Sequence, residues 1–253
     1  MSAVFACLGF AETTLAECLP TGRTEPEPAV VSYVYDGDTV KLDDGRKVRI
    51  AGINSPETAH RGNLTAEPFA DAARDALQTF LAQHQHRISL HLAPASRDRY
   101  GRWLADIQLP DGRNLAEMMI EQGLAVQSAV GDEQQNPLAY CYRDTENLAR
   151  QARLGLWQQP QFWLIDSTPL SHSQKRFVIV RDRISRARQR HQSWHITLQH
   201  GTRLSVALSA WSDRNPPTIG GTIEARGWLY RQNNTPTLRI THPANLTTGT
   251  PLP

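Results

Sequence analysis

Acidic and basic side chains that together could hold a metal ion and a phosphate lie close together near the start of the chain. Asp36, Asp38, Arg49 and Glu57 all fall within residues 31–58. Carboxylates are ligands for a hard cation, and a guanidinium group forms paired hydrogen bonds with a phosphate. For the acidic residues alone, a solvated charged hairpin is the alternative, because acidic turn residues are common. The residue types therefore suggest metal-assisted phosphate chemistry as a hypothesis.

The hydrophobic pattern of the same segment predicts two strands that position these side chains. Apolar and polar residues alternate around Val40 and again around Val48, which is typical of half-buried strands. An Asp-Asp-Gly sequence ending at Gly45 lies between them and suits a tight turn, because glycine accepts a positive φ. A hairpin at this turn would carry Arg49 back towards the strand that bears Asp38.

The remainder of the first half predicts more strands and three helices. The segment ISLHL and the segment around Leu104 and Ile107 read as strands, and apolar spacing predicts helices over 66–82, 115–122 and 144–154. Five strands, with helices after the third and the fifth, are compatible with a small closed barrel of the OB type. The predicted fold class is thus mainly β with α, or α+β.

The last third of the chain predicts a second, smaller β-barrel of OB-like form. No long amphipathic helix is apparent there, and five segments have strand character: 177–180, 194–198, 204–208, 222–230 and 237–240. Residues 159–174 contain Pro160 and Pro169 with several Ser and Gln residues, which indicates a linker. The second domain is therefore expected over 175–253.

Charge divides the chain in the same way. Residues 170–253 carry 12 Lys and Arg against 3 Asp and Glu, a net charge of +9, whereas residues 1–169 carry 15 against 22, a net charge of −7. A basic module is a candidate for binding a polyanion, because clustered arginines neutralise phosphates. A solvated basic hairpin tip is the alternative. The candidate nucleic-acid-binding residues are Arg181, Arg183, Arg186, Arg188 and Arg190.

The N-terminus has features of an export signal. A short apolar stretch followed by small residues predicts a signal peptide over 1–16 and an arm over 17–29, although the usual positive charge at the start is missing. Cys7 lies in the predicted leader, so cleavage would leave Cys18 and Cys141, which we expect to form a disulfide. Two reduced thiols in a cytosolic protein are the alternative. No apolar run approaches the roughly 20 residues that span a membrane.

Five segments, in order and spacing, resemble staphylococcal nuclease, the thermonuclease family. They are DGDTVKL (36–42), VRIAGINSPET (48–58), DRYGRWLADI (98–107), EQGLA (121–125) and ARLGLW (152–157). The resemblance implies an OB-type nuclease domain over 30–158 that hydrolyses phosphodiesters of DNA, RNA or both with Ca²⁺ and leaves 3′-phosphates. Another divalent metal is possible in place of Ca²⁺.

The resemblance also implies roles for individual side chains. Arg49 and Arg102 match the two arginines that bind the phosphate, and Glu57 matches the glutamate that acts as general base or positions water. These residue types suit the chemistry, because attack on a phosphodiester requires positive charge on its oxygens and a proton acceptor for the water. Arg49, Glu57 and Arg102 are therefore the predicted catalytic residues.

The implied metal ligands contain one departure from the family pattern. Asp38 matches a direct carboxylate ligand, Ser55 matches a residue that contributes its backbone carbonyl, and Asp36 matches a supporting acid. Asn54 stands where the family has a second metal carboxylate. An amide oxygen can coordinate Ca²⁺ but brings no charge, so Asn54 predicts weaker metal binding.

The substrate-binding loop departs from the family as well. Residues 126–131 read VQSAVG and lack the tyrosines that hold a nucleotide in the archetype. The clustered arginines of the second domain could supply substrate binding instead. Residues 226–246 resemble C-terminal extensions of some bacterial thermonuclease-like proteins, and this resemblance implies an OB-like barrel for that domain.

Taken together, the sequence predicts a periplasmic or secreted bacterial endonuclease that is monomeric and has no membrane span. A non-catalytic nucleic-acid-binding protein that retains the nuclease barrel is the alternative, which the presence of Asn54 keeps open.

Overall fold

The structure is a computed structural model. It describes residues 18–20, 25–59, 65–131, 136–166, 168, 176–211 and 215–249. The predicted signal peptide and residues 169–174 of the predicted linker lie outside this part of the chain.

The first half forms a closed five-stranded barrel with helices packed against it. Its elements are β1 (Glu27–Asp36), β2 (Thr39–Leu42), β3 (Lys47–Ile50), β4 (Ile53–Asn54), α1 (Ala70–Gln83), β5 (Arg87–Arg97), β6 (Trp103–Gln108), α2 (Leu115–Glu121), β7 (Val126–Gln127) and α3 (Ala139–Gln151). The barrel order is β1-β2-β3-β6-β5, with β3 and β6 parallel and the other pairs antiparallel. Outside the barrel, β4 pairs with β7.

The second half repeats this topology. Its strands are β8 (Leu164–Asp166), β9 (Phe177–Arg190), β10 (Ser193–Leu198), β11 (Arg203–Ala207), β12 (Thr222–Gln232), β13 (Thr235–Ile240) and β14 (Leu246–Thr248). The order β9-β10-β11-β13-β12 closes on itself because β12 also pairs with β9, and β11 runs parallel to β13. The prediction of two OB-type barrels is confirmed.

Several element boundaries differ from the sequence prediction. Helix α1 begins at Ala70 because Phe69 has a left-handed backbone, with a φ of 68°, so the residues before it do not join the helix. Helix α3 begins at Ala139, five residues before the predicted start at Asp144. The segment expected to be a linker contains β8, which pairs with β9. Strand β9 continues to Arg190 because backbone pairing with β10 extends it beyond the apolar residues.

Two glycines, one from the motif EQGLA and one from the motif ARLGLW, meet in the packed domain. The backbone N–H of Leu156 donates to the carbonyl of Gly123 at 2.8 Å. A Cβ on Gly123 would collide with the backbone of Leu154, and one on Gly155 would collide with Gly123. Both glycines also have positive φ values, 65° and 48°. The two motifs thus fix the approach of the chain after α3 to the turn after α2.

A disulfide joins the N-terminal segment to α3. Cys18 and Cys141 are bonded, with Cα atoms 5.7 Å apart. The backbone N–H of Cys18 donates to Glu117 Oε2 at 2.9 Å, and Asn114 Nδ2 donates to the Cys18 carbonyl at 2.7 Å. These contacts hold the start of the described chain against α2. Across the described helices, none combines the length and apolar character that a membrane crossing needs.

The two barrels meet through buried ion pairs, here called the arginine–glutamate cluster: Glu146 and Arg150 on α3, and Glu224 and Arg226 on β12. Arg226 donates to Glu146 at 2.6 Å and to Glu224 at 3.1 Å. Arg150 donates to both oxygens of Glu224 at 3.1 Å. Both glutamates and Arg226 are fully buried. Charges removed from water need such partners, so the cluster depends on both barrels being in place.

The segment that follows β7 is also held by the second barrel. Asn245 donates to the Ala129 carbonyl at 2.7 Å and accepts from Gln127 Nε2 at 3.1 Å and from the Ala129 N–H at 3.2 Å. Arg226 donates to the Gln127 carbonyl at 3.2 Å. Gln127, Ser128 and Ala129 are buried. The part of the chain where the family's tyrosines would lie is therefore used for contact between the barrels.

Candidate active site

The candidate site is built at the tight connection from β1 to β2. Asp36 ends β1, and Asp38 lies immediately before Thr39, the first residue of β2. A Cβ on Gly37 would collide with the side chains of Ser55 and Ala73, so the glycine between the two acids is required by close packing. In the ladder, Thr39 is paired with Arg49 of β3, and paired residues project from the same face of a sheet.

Asp38 is the most heavily bonded acid of the site. Its Oδ1 forms an ion pair with Arg49 Nη1 and accepts from the Thr39 hydroxyl at 2.8 Å, while its Oδ2 accepts from the Ser55 N–H at 2.9 Å. Burial by itself would raise the pKa of Asp38, but the charge of Arg49 and the hydrogen bonds hold that pKa below its usual range. A carboxylate offers about four acceptor positions, so Asp38 keeps one on Oδ2.

The pKa of Asp36 is shifted in the opposite direction to that of Asp38. Its Oδ1 accepts from the backbone N–H of Asp38 at 3.0 Å. Burial, followed by the negative charges of Asp38 and Glu57, raises the pKa of Asp36 to about 8. At neutral pH the Asp36 carboxyl therefore retains a proton. A bound cation would favour the ionised form in place of that proton.

Arg49 is engaged by the protein at both ends of its guanidinium group. Besides the ion pair with Asp38, its Nη2 donates to the Ile53 carbonyl and to Asn54 Oδ1, both at 3.0 Å. The side chain is 12% exposed. Asn54, which is buried on β4, thus presents its amide oxygen to Arg49.

Arg102 is held differently and keeps more of its donors. Its Nε donates to Asp98 Oδ2 at 2.7 Å, and its Nη1 makes a long contact of 3.4 Å with the Thr39 hydroxyl. The side chain is 20% exposed. Thr39 therefore contacts both Asp38 and Arg102, so one hydroxyl joins a predicted metal ligand to a predicted phosphate-binding residue.

Glu57 is positioned through its backbone. Its N–H donates to Glu67 Oε2 at 3.0 Å, and the Glu67 N–H donates back to the Glu57 carbonyl at 2.9 Å. The negative charge of Glu57 contributes to the raised pKa of Asp36 and to that of Arg49, so its carboxylate lies within electrostatic reach of both residues.

The donor set is suited to a hard cation. Asp36, Asp38, Asn54 and the Ser55 carbonyl offer only oxygen atoms, as Ca²⁺ prefers. At one place in the described part of the chain, three Asp, Glu, His or Cys residues have ligand atoms within 4.8 Å of one another. These residues are Cys18, Glu117 and Cys141. The two sulfurs are bonded to each other and are not free thiolates. The carboxylates of Asp36, Asp38 and Glu57 therefore do not all lie within 4.8 Å of one another.

Comparison with known proteins finds relatives that match about half of the chain. The profile of the family described as "Staphylococcal nuclease homologue" matches residues 47–159. Over most of its length, the first barrel is therefore similar to the staphylococcal nuclease family. An uncharacterized endonuclease of Escherichia coli O157:H7 is 29% identical to the chain over 131 residues, which are 50% of this chain and 74% of that protein.

Two eukaryotic relatives match the nuclease-like domain over a smaller share of their own length. A probable endonuclease of Leptosphaeria maculans is 30% identical over 117 residues, which are 45% of this chain and 38% of the relative. The staphylococcal nuclease domain-containing protein 1 of Schizosaccharomyces pombe is 32% identical over 108 residues, which are 42% of this chain and 12% of the relative. All these matches cover about half of the present chain.

Three residues of the nuclease-like site were not predicted. Thr39 links Asp38 to Arg102, Asp98 holds Arg102, and Glu67 fixes the backbone of Glu57. Thr39 and Asp98 lie inside the motifs DGDTVKL and DRYGRWLADI, so the motifs contained a signal for them. Glu67 lies outside every motif, and only folding brings it to Glu57.

The five arginines predicted to bind nucleic acid do not all lie on the same surface of the second barrel. Arg181 is half-buried and pairs with Glu224 at 3.2 Å, so the contact between the barrels uses it. Arg186, Arg188 and Arg190 lie in the exposed second half of β9, and Arg183 is exposed nearer its middle. Among the tryptophans of the second barrel, Trp194 and Trp211 pack against each other with ring centroids 6.5 Å apart, whereas Trp228 is 44% exposed.

The role of Asn54 in metal binding can be tested by restoring the family's carboxylate. We expect Asn54→Asp to lower the Ca²⁺ concentration for half-maximal cleavage about tenfold, because an added negative charge at a ligand strengthens cation binding. Titration of cleavage rate against Ca²⁺ measures this shift, with Gln78→Glu, an exposed position of α1, as the charge-matched control. An unchanged Ca²⁺ requirement would argue that residue 54 is not a ligand.

Proposed function

We propose that the protein is a Ca²⁺-dependent endonuclease that hydrolyses phosphodiester bonds of DNA, RNA or both and leaves 3′-phosphates. The observation that carries the proposal is the connection of Asp38 to Arg49 by an ion pair and to Arg102 through the Thr39 hydroxyl. Acidic ligands and guanidinium groups are thereby grouped at one end of the nuclease-like barrel, where Glu57 also acts electrostatically on Asp36.

The two arginines are suited to neutralise the phosphate. A phosphodiester repels nucleophiles through its own negative oxygens, so positive charge must be placed on them before water can attack. Asp98 accepts a hydrogen bond from Nε of Arg102, so the two Nη groups are the donors proposed to contact the phosphate. A guanidinium group offers planar paired donors that an ammonium does not reproduce. Arg102 is accordingly the first phosphate contact, and Arg49 is the second.

Glu57 is assigned the water. The reciprocal backbone bonds with Glu67 hold residue 57 in place, and its carboxylate is the group that accepts a proton from an attacking water. Asp38, with Asp36 in support, the Ser55 carbonyl and the Asn54 amide oxygen would hold the cation. When bound there, Ca²⁺ supplies fixed positive charge to the phosphate oxygens.

The proposed location is the periplasm or the outside of a bacterial cell. The disulfide between Cys18 and Cys141 supports it, because structural disulfides persist in oxidising compartments. Alkylation of both residues without reductant, in protein recovered from the periplasm and measured by mass spectrometry, would contradict this assignment.

The proposed activity is tested with supercoiled plasmid DNA. We expect cleavage in Ca²⁺ and a loss of at least about 100-fold in rate with a chelator, because the phosphate charge is then left without its cation. Early appearance of nicked and linear plasmid indicates internal cleavage, and phosphatase sensitivity of the new 3′-ends identifies the product. Degradation that persists at full rate in chelator would contradict the metal-dependent mechanism.

A non-catalytic nucleic-acid-binding role is the second candidate. It is favoured by the engagement of Arg49, whose donors are taken by Asp38, Ile53 and Asn54. The same assay separates the two functions: a protein that binds plasmid but leaves it intact in Ca²⁺, Mg²⁺ or Mn²⁺ has the binding role alone.

A further inference from the structure

The outer face of the second barrel contains an open basic groove. Its volume is about 350 Å³, and its polar lining includes Arg186, Arg188 and Arg190 of β9, His195 of β10 and Arg203 of β11. None of the described residues that line it is acidic. The groove lies in the second barrel, whereas the proposed catalytic side chains all come from the nuclease-like barrel.

Strand pairing explains why these side chains share one face. In the ladder, Thr197 of β10 is paired with Arg186 on one side and with Arg203 on the other. His195, two residues earlier, is paired with Arg188. Paired residues project from the same face of a sheet, and residues two apart along a strand do so about 7 Å from each other. The arginines therefore form a regular array.

The side chains of this array differ from that of Arg181, which lies earlier on β9. Within the described residues, the guanidinium groups of Arg186, Arg188, Arg190 and Arg203 have neither a carboxylate nor a hydrogen-bond partner, whereas Arg181 is paired with Glu224. Four guanidinium groups without counter-charges repel one another. A polyanion that lies along the groove would relieve this repulsion.

The topology assigns this face a role in binding. In OB folds, the face of the second and third strands, together with the loop between the fourth and fifth, binds oligonucleotides and oligosaccharides. The second and third strands of this barrel are β10 and β11, and the loop between the fourth and fifth follows β12. Gln232 at the end of β12 and Asn233 of that loop line the groove, so its walls come from the elements that OB folds use.

We propose that this groove binds single-stranded nucleic acid and holds substrate for the nuclease-like barrel. The choice of ligand rests on the proposed function. Tyr230, which is 39% exposed, is paired with Thr237 of the groove lining, so an aromatic ring lies beside the arginine array. An unpaired base can stack on such a ring, while the phosphates meet the arginines. Paired bases in a duplex cannot stack in this way.

The proposal is tested by the affinity of the full chain for a fluorescent oligo-dT of about 16 nucleotides, the upper end of the site size of one OB fold. Binding is measured by anisotropy in chelator, so that cleavage does not interfere. We expect Arg186→Ala/Arg203→Ala to weaken binding about tenfold or more and to lower the slope of log affinity against log salt by about 1.4, or 0.7 for each lost phosphate contact.

The matched control removes two exposed arginines outside the second barrel, Arg87→Ala/Arg153→Asn. Asparagine is used at 153 because the backbone there is left-handed, with a φ of 53°, a conformation that asparagine tolerates. We expect less than about a twofold change with this control. Equal losses in both double variants, or no loss in the groove variant, would overturn the proposal.

A second pair of variants tests the aromatic contact. We expect Tyr230→Ala to weaken oligo-dT binding about fivefold or more, whereas Tyr230→Phe keeps the ring and retains the affinity. Duplex DNA or a sulfated polysaccharide that binds as tightly as oligo-dT, with the same dependence on Arg186 and Arg203, would overturn the single-strand assignment. Because binding is measured without cleavage, a protein that binds through the groove but cuts nothing would refute the nuclease function alone.

Discussion

Replacement of Glu57 by glutamine is expected to lower the rate of phosphodiester cleavage by about 10²–10⁴-fold, the usual contribution of a positioned general base. Glutamine has nearly the same size as glutamate but cannot accept the proton of an attacking water. The backbone bonds between Glu57 and Glu67 do not involve the Glu57 side chain, so the substitution leaves them in place. The loss should therefore be one of chemistry and not of folding.

The measurement is the initial rate at saturating Ca²⁺ and saturating substrate, which separates the chemical step from metal and substrate binding. Glu121→Gln, an exposed position of α2, is the matched control and should retain the wild-type rate. If Glu57→Gln cleaved as fast as the wild type, Glu57 could not be the base. Full activity recovered merely by raising Ca²⁺ would instead make it a metal ligand.

The sequence predicted the relation between Asp38 and Arg49 from local rules. Alternation and the turn ending at Gly45 set the register of β2 against β3, and that register places Thr39 opposite Arg49. Local sequence patterns could not predict which hydrogen bonds form within the site. Asn54 matches a ligand position in the family motif, yet its amide oxygen accepts from Arg49, because β4 pairs with β7 instead of continuing the barrel.

The arginine-rich stretch illustrates a second limit. Its residues look equivalent in sequence, but the irregular register between β9 and β10 near Leu198 and the docking of the first barrel divide them. Arg181 is drawn into the contact between the barrels, whereas Arg186 and Arg188 face the groove. Arg203, which lies in another segment, joins them only through strand pairing. Long-range pairing therefore decides which arginines act together.

The absence of the family's tyrosines from residues 126–131 also acquires a physical explanation. Within this segment, Gln127, Ser128 and Ala129 are buried against the second barrel by Asn245 and Arg226, whereas Val130 is exposed. A large aromatic side chain at 127–129 would not be exposed to a nucleotide. The groove on the second barrel offers an exposed aromatic residue, Tyr230, and free guanidinium groups instead. Contact between the barrels and the proposed change in substrate binding are thus two consequences of one arrangement.

Replacement of Glu224 by glutamine is expected to lower the free energy of unfolding by about 3–5 kcal/mol, the usual cost of removing one partner from a buried ion pair. Glu224 accepts from Arg150, Arg226, Arg143 and Arg181. Without the charge of Glu224, Glu146 is the remaining buried carboxylate for Arg150 and Arg226. The charged form of Arg143 is already disfavoured, since burial and then the charge of Arg226 lower its pKa to about 9.

Urea unfolding followed by tryptophan fluorescence measures this loss as a shift of the midpoint at an unchanged slope. Glu27→Gln is the matched control, because Glu27 pairs with Arg46 while 42% exposed, and surface pairs contribute about 1 kcal/mol or less. A midpoint for Glu224→Gln equal to that of the control would argue that the cluster does not hold the barrels together.

The difference in free energy of unfolding between the wild type and Glu224→Gln should also depend on pH, which gives an independent check. Burial would raise the pKa of Glu224, but the charges of Arg150, Arg226 and Arg143 outweigh it and hold the pKa far below the ordinary value of 4.5. A carboxylate with a lowered folded-state pKa contributes its full stability above the ordinary pKa and loses it as the pH falls towards the folded-state value. The gap between wild type and Glu224→Gln should therefore be constant above pH 4.5 and shrink in more acidic solution, whereas a gap caused by packing alone would not change with pH.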